Sequence, residues 1–412
     1  MPRMRRLACL LGLLCRAAGR LGSDAQPETA AQEAVAAAQE AAKPAHEAAA
    51  PRRRSYFINL VVAAENPFLL VNVEYFLRHA ATHSAVVDTA YKVTMNGPNP
   101  QSRRLVFQHA TLVNGNEPLS PAPVRQLQRH NTGFDFGGHL DALAEEAACC
   151  PRGPAAGGGA SCLSLVRRVE GSPLTIAKSA ATVLCGSAAA AHAANAGGVA
   201  GTGTIRRFLK WSQLRYDGYI LLNCGVRGPI YPTYMPRGWH WLSAFDEKLT
   251  AIGRETGGVA LVGTSLACLA ELPAPRGGGV GPRVEAFTFG IAREALLEVL
   301  KKGTSFQNHH TKDAAVVMGE YALSLSVLGA AGKEWNIGSL MRLHHNVNFR
   351  DQKEWGCNKD LHPTRINSYE GMTVHPLEVL FHKGRWHTTQ QDPNKREMDI
   401  YSAWINKRGL RR

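Results

Sequence analysis

The feature that most constrains this chain is a series of short apolar runs separated by helix-like segments. Phe57–Ala63 (FINLVVA), Tyr219–Asn223 (YILLN) and Val259–Thr264 (VALVGT) are almost continuously apolar and of strand length. A strand that is apolar on both faces needs cover on both faces, which is the mark of a parallel sheet between helical layers. The intervening segments supply that cover. A helix is expected around Pro67–Ala81, strands around Ala85–Thr94 and Arg104–Val113, and a further helix opening at Gly137 and Gly138. Residues 284–302 read as a strand (EAFTFG) passing into a helix (IAREALLEVLKK), and Lys312–Gly329 as one long helix. The alternation predicts an α/β fold: a mostly parallel sheet with helices on both faces, in one large domain.

The flanks do not belong to that pattern. Arg3, Arg5 and Arg6 precede an apolar run from Leu7 to Cys15, followed by small residues, as in a secretory targeting segment. The run is too short to span a bilayer, so no transmembrane anchor is expected there. No acid precedes Asp24, and Arg16 and Arg20 continue the basic pattern, so an organelle transit peptide fits as well. Residues 25–50 are half Ala with one branched apolar residue, Val35, and read as a stalk or linker. Residues 151–204 hold 24 Ala and Gly and read as a low-complexity insertion. The organisation expected is therefore a targeting segment (1–22), a stalk (23–54) and a folded body (55–408) carrying that insertion.

A formal charge of +14 invites a nucleic-acid reading. Most of the excess sits in the two tails, residues 1–54 and 382–412, and no basic stripe interleaved with aromatics runs along the body. No nucleic-acid partner is expected. The nine cysteines show no C-x-x-C spacing, so a zinc site is not expected, and no disulfide framework follows from their positions.

Three constellations carry chemistry. Asn131, Gly133 and Asp135 lie in HNTGFDFGGHLDAL, at a strand end before a helix, where an open α/β sheet binds ligands. Their amide and carboxylate suit a nucleotide base or ribose, and Asp135 suits a helix cap equally well. In YDGYILLNCGVRGP a buried strand runs out into Asn223 and then Arg227, a residue suited to phosphate or to a structural ion pair. In MTVHPLEVLFHKGRW, His375 and Glu378 form a possible acid/base pair, or a turn followed by a strand. Glu320, on the helix GEYALSLSVLG, is a candidate base by position.

Taken together, these elements resemble one family. HNTGFDFGGHLDAL, YDGYILLNCGVRGPIYP, VALVGTSLACL, EAFTFGIAREALLEVL, GEYALSLSVLGAAGKEWNIGSL, MTVHPLEVLFHKGRW and DIYSAWINKR follow in its order. The resemblance is to the glycosyltransferase-like group of fungal and algal proteins related to the rhamnan-synthesis F type. It covers roughly residues 55–408, with 148–204 unmatched. It implies a GT-A-like nucleotide-diphosphosugar transferase fold. The implied reaction moves a sugar from a nucleotide sugar to a glycan or glycoprotein acceptor, as in polysaccharide biosynthesis in the Golgi or ER lumen. It places Asn131, Gly133, Asp135, Asn223 and Arg227 near the nucleotide, and Glu320, His375 and Glu378 among the catalytic candidates. Related transferases carry an Asp-x-Asp metal motif where this chain reads Asn223-Cys224-Gly225. Mg²⁺ and Mn²⁺ want carboxylate oxygens, so a divalent metal is not expected at that place. The alternative is a glycan-binding or scaffold protein that keeps the fold without the chemistry.

Overall fold

The computed structural model describes residues 52–62, 67–113, 119–129, 134–149, 211–232, 234–236, 238–269, 281–356, 367, 374–383 and 393–408. The targeting segment, all but the last three residues of the stalk, the insertion, Asn131 and Gly133 lie outside the described residues.

In chain order the strands are β1 (Ser55–Val62), β2 (Asp88–Asn96), β3 (Val124–Arg129), β4 (Gly218–Asn223), β5 (Val226–Arg227), β6 (Val259–Gly263), β7 (Leu266–Leu269), β8 (Gly281–Val284), β9 (Thr288–Ala292), β10 (Asn336–Ser339) and β11 (His382–Lys383). The longer helices are α1 (Pro67–His79), α2 (Pro100–Ala110), α3 (Phe134–Cys149), α4 (Leu242–Lys248) and α5 (Arg293–Lys302). Near the C-terminus come α6 (Lys312–Ala314), α7 (Ala322–Leu328), α8 (Pro376–Val379) and α9 (Pro393–Arg408).

Seven strands form one sheet in the order β10-β6-β9-β4-β1-β2-β3. All neighbours are parallel except β9, which runs antiparallel to both β4 and β6. The expected mostly parallel α/β sheet is therefore present, in one compact unit from Arg53 to Arg412. Its core is the apolar runs themselves. Tyr56 through Val62 are all buried, and Tyr219, Ile220, Leu221 and Leu222 are fully so. Burying such a side chain contributes roughly 1.5–3 kcal/mol, so the central pair β1–β4 anchors the fold.

That pair also fixes where a ligand can bind. The chain fills one side of β1 with β2 and β3, then crosses to its other side with β4. Strand order reverses between β1 and β4, and the crevice beyond their carboxyl ends is where doubly wound sheets take ligands. β4 ends there at Asn223 and β2 at Asn96.

Two local expectations change. Residues 104–110, expected as a strand, are helical within α2. The buried residues Ser102, Val106 and His109 recur every three to four positions, a helical period that the apolar Leu105-Val106-Phe107 run conceals. Pro100 at the first turn presets the helix, and His109 hydrogen-bonds the Ala122 carbonyl at 2.8 Å. The long helix expected over Lys312–Gly329 is broken by a π-helix, Ala315–Tyr321, between α6 and α7. The wider turn carries Gly319, whose missing Cβ would fall 2.5 Å from a Phe136 ring carbon. Glycine there lets the π-helix lie directly against α3, and π segments recur at functional sites.

A β7–β8 hairpin is inserted between β6 and β9, with Leu266 opposite Val284 and Ala267 opposite Arg283. Cys268 on β7 is fully buried and disulfide-bonded. Nothing in the spacing of the nine cysteines marks this disulfide.

Candidate functional site

The crevice is assembled from five separate stretches of chain. Helix α3 enters first. Gly138 sits so close to β1 that a Cβ would fall 2.8 Å from a Val61 methyl carbon, which seats the start of α3 against β1. Phe134, the first residue of α3, has φ +52° and is 41% exposed. A bulky residue in the left-handed region is strained, and such strain gathers at ligand sites. Its carbonyl is held by the Asn96 amide at 3.2 Å. The next residue, Asp135, points to the end of β4.

There Asn223 donates from Nδ2 to Asp135 Oδ2 at 2.8 Å, while its own Oδ1 accepts from the Gly225 backbone N–H at 2.9 Å. Two residues 88 positions apart, singled out separately in the sequence, thus meet at the strand-order reversal. Burial raises the Asp135 pKa above the usual carboxylate range, and the Asn223 hydrogen bond and the Lys383 charge only partly oppose it.

The hairpin and the π-helix add the remaining charges. Arg283 on β8 is buried and pairs with Glu285 at 3.1 Å and with Glu320 of the π-helix at 3.2 Å. Its guanidinium also lies 4.8 Å from the centre of the Tyr321 ring. Burial opposes the Arg283 charge, but Glu285 and Glu320 together hold its pKa above the ordinary range. Lys383 on β11 completes the group. β11 pairs with β5, which follows β4 after a two-residue turn, so Lys383 lies opposite Val226. Its ammonium is 5.7 Å from the centre of the Phe287 ring, and Phe287 in turn accepts the Asn223 N–H at 3.0 Å.

Glu320 is a strongly perturbed carboxyl of the group. Burial pushes its pKa up to about 7; Arg283 and Lys383 pull it down, while Glu285 and Asp135 push it further up. Its side chain nonetheless keeps 24% of its surface open to solvent. A carboxyl that is desolvated yet partly reachable by solvent, with a pKa near neutrality, suits proton transfer. Lys383 shifts the opposite way. Burial lowers its pKa and Lys312 adds to that, against the pull of Glu285, Glu320 and Asp135.

Two buried hydroxyls stand at the neck of the hairpin. Among the described residues Thr264 Oγ1 and Ser265 Oγ have no hydrogen-bond partner, and the Ser265 carbonyl accepts from the Glu285 N–H. Among the described residues, no group of three or more His, Cys, Asp and Glu side chains is placed to hold a metal ion. No protein-family model matches this chain, and no curated protein matches it. The motifs and this geometry therefore carry the reading of function.

The other expected site residues sit elsewhere. Arg227 is buried on β5, donating to Asn72 Oδ1 at 2.9 Å and pairing with Asp399 of α9 at 2.5 Å. That is the structural ion pair its loop position also allowed, and it ties α9 to the small β5–β11 sheet. His375 is exposed and caps α8, its Nδ1 accepting from the Leu377 N–H at 3.2 Å. Glu378 is exposed as well and accepts from the Arg342 N–H at 3.3 Å. His375 borders a mostly apolar groove of about 340 Å³ together with Ile230, Leu377, Ile400 and Trp404. Sequence reasoning missed Arg283, Glu285 and Lys383. Lys383 and Glu285 stand in quoted motifs, but nothing in the spacing marked them; Arg283 follows directly on the Gly/Pro-rich insert Pro273–Pro282.

Proposed function

We propose that this protein is a glycosyltransferase that moves a sugar from a nucleotide sugar to a hydroxyl of a glycan or glycoprotein acceptor. The observation that carries the reading is the meeting of Asp135 and Asn223 at the strand-order reversal, with Glu320 on the adjoining wall. The motif resemblance assigns the first two to the nucleotide. An exposed aromatic at Phe134 suits a nucleobase, since base–aromatic stacking contributes about 1–3 kcal/mol.

Glu320 takes the proton of the acceptor hydroxyl. With a pKa near 7 it is partly ionised at neutral pH and basic enough for that task. Lys383, with Lys312 nearby, supplies positive charge beside the departing diphosphate. The donor set does not suit a hard divalent cation. Arg283 already bridges Glu285 and Glu320, and Asp135 is engaged by an amide.

The disulfide at Cys268 supports an oxidising compartment, in line with a secretory route through the ER and Golgi. Among the described residues no helix is long and apolar enough to cross a membrane.

The test is calorimetric titration of the protein with a panel of nucleoside diphosphates and their sugars, with and without Mn²⁺, followed by transfer assays on the donors that bind. Binding of a nucleotide sugar, and transfer that is lost in Glu320→Gln, supports the reading. Absence of all nucleotide binding overturns it. Binding without transfer to any acceptor favours the alternative, a glycan-binding or scaffold protein that keeps the fold.

A further inference from the structure

We infer that Arg283 is a positioning residue for Glu320, and that Glu285 in turn aims Arg283. The inference rests on the proposed chemistry of Glu320 and adds two residues that no motif assigned.

The geometry is that of a clamp. Arg283 lies on β8 and Glu285 one residue past its end, close enough for their side chains to pair. Glu285 holds the guanidinium at 3.1 Å through Nε, which leaves Nη1 to reach Glu320 at 3.2 Å. The Tyr321 ring covers the guanidinium from the π-helix side, 4.8 Å from centre to centre. A planar donor fixed at Nε and stacked on a ring has little freedom left, so it fixes the carboxylate it meets. Both anchors are buried: Arg283 is 5% and Glu285 2% exposed at the side chain. The cation is thus shared by two carboxylates, and Glu320 does not receive its full charge. Burial is the main reason this carboxyl, though paired with an arginine, stays partly protonated at neutral pH, and the nearby Glu285 charge adds to it.

Every element around Glu320 contributes to its titration. Asp135 faces it from α3, Glu285 and Arg283 from the hairpin, and Lys383 from β11. Tyr321 adjoins it on its own helix, and Lys312 acts on Lys383 from α6.

The experiment follows the Glu320 carboxyl directly by ¹³C NMR through a pH series in Glu285→Gln, Arg283→Lys and Arg283→Gln, alongside kcat and KM for transfer. Glu285→Gln removes a charge that raises the Glu320 pKa and releases Arg283 to Glu320 alone. The midpoint is expected to fall by about one pH unit, and the acid limb of the kcat profile to fall with it. Arg283→Gln is expected to raise the midpoint by a similar amount. Arg283→Lys keeps the charge but loses the fork, so kcat falls about tenfold while donor KM holds. A Glu320 midpoint unmoved in Glu285→Gln, or wild-type kcat in Arg283→Lys, overturns the inference. Arg283→Gln strands a buried Glu285; should it fail to fold, Glu285→Gln decides the matter alone. The titration needs no substrate, so it stands or falls separately from nucleotide-sugar binding.

Discussion

Helix α3 meets a cluster of charges at each of its ends, and the two clusters are built on different principles. At its C-terminal end, Lys92 of β2 is fully buried and pairs with Glu145 at 2.9 Å and Glu146 at 3.0 Å, while Arg125 of β3 pairs with Glu146 at 2.6 Å. Two cations face two carboxylates, and both cations lie within about 6 Å of the Phe57 ring centre. Every carboxylate there has a direct cationic partner, which is how a fold offsets the cost of burying charge. At its N-terminal end the arrangement is incomplete. Asp135 is held by an amide, and Glu285 and Glu320 divide one arginine. The first cluster stabilises the fold; the second keeps a carboxyl protonated near neutrality beside an open crevice.

Two substitutions test that contrast most strongly. Glu320→Gln is expected to cut kcat by about 10²–10⁴-fold with donor affinity kept, read by transfer assay and calorimetry. Stability moves the other way. The Glu320 pKa is raised from 4.5 to about 7, so folding disfavours its ionised form and stability is lost as pH rises between those values. Urea denaturation should find Glu320→Gln more stable than the wild type at pH 8, by about 1–3 kcal/mol, and equal to it near pH 4. Equal stability at pH 8 would mean that folding does not disfavour the ionised form of Glu320. Lys92→Met is the mirror experiment. It leaves Glu146 buried with only Arg125, and is expected to cost about 3–5 kcal/mol in the same assay while the Glu320 midpoint stays put. A moved midpoint joins the two clusters into one.

Much of this contrast was legible in the sequence, but unevenly. The runs FINLVVA and YILLN announce the central strands, because full burial demands continuous apolar residues. Asp135 and Asn223 stand out because each follows or precedes such regular structure at a turn. Their contact was not legible, since it depends on β4 crossing to the far side of β1. Arg283 and Glu285 are hidden for another reason. Arg283 adjoins a Gly/Pro-rich insert and Glu285 opens a run that reads as a strand, and only the pairing of β7 with β8 carries Arg283 inward. Lys92 is hidden likewise, since one lysine in an apolar strand reads as an edge residue until α3 brings two glutamates over it. The helix α2 was misread because Leu105-Val106-Phe107 is too short for period 2 and period 3.6 to be told apart.

The ligand side of the contrast predicts smaller effects. Phe134→Ala is expected to weaken nucleotide binding by about 1–3 kcal/mol, read by calorimetry, and to spare kcat at saturating donor. Unchanged affinity leaves the strained φ without a ligand role. Reduction of the Cys268 disulfide loosens the hairpin that carries Arg283, and is expected to cost about 2–4 kcal/mol in thermal denaturation with and without dithiothreitol.

The smallest expected effect concerns the pair that the His-Pro-x-Glu motif brought forward. His375 caps a four-residue helix through Nδ1, and Glu378 binds the Arg342 backbone; both are exposed, and neither acts on the titration of Glu320. A capping side chain contributes about 1 kcal/mol, so His375→Ala should lower stability by that much, and His375→Asn, which keeps an acceptor, by less. Transfer at saturating substrate should be preserved in both. The outcome that reverses this assignment is a fall in kcat well beyond what the loss of folded protein explains, with His375→Asn as impaired as His375→Ala. In that case imidazole chemistry, and not the cap, is what the position supplies. The catalytic wall then extends from the π-helix to α8, and the contrast between the two ends of α3 no longer describes the whole site.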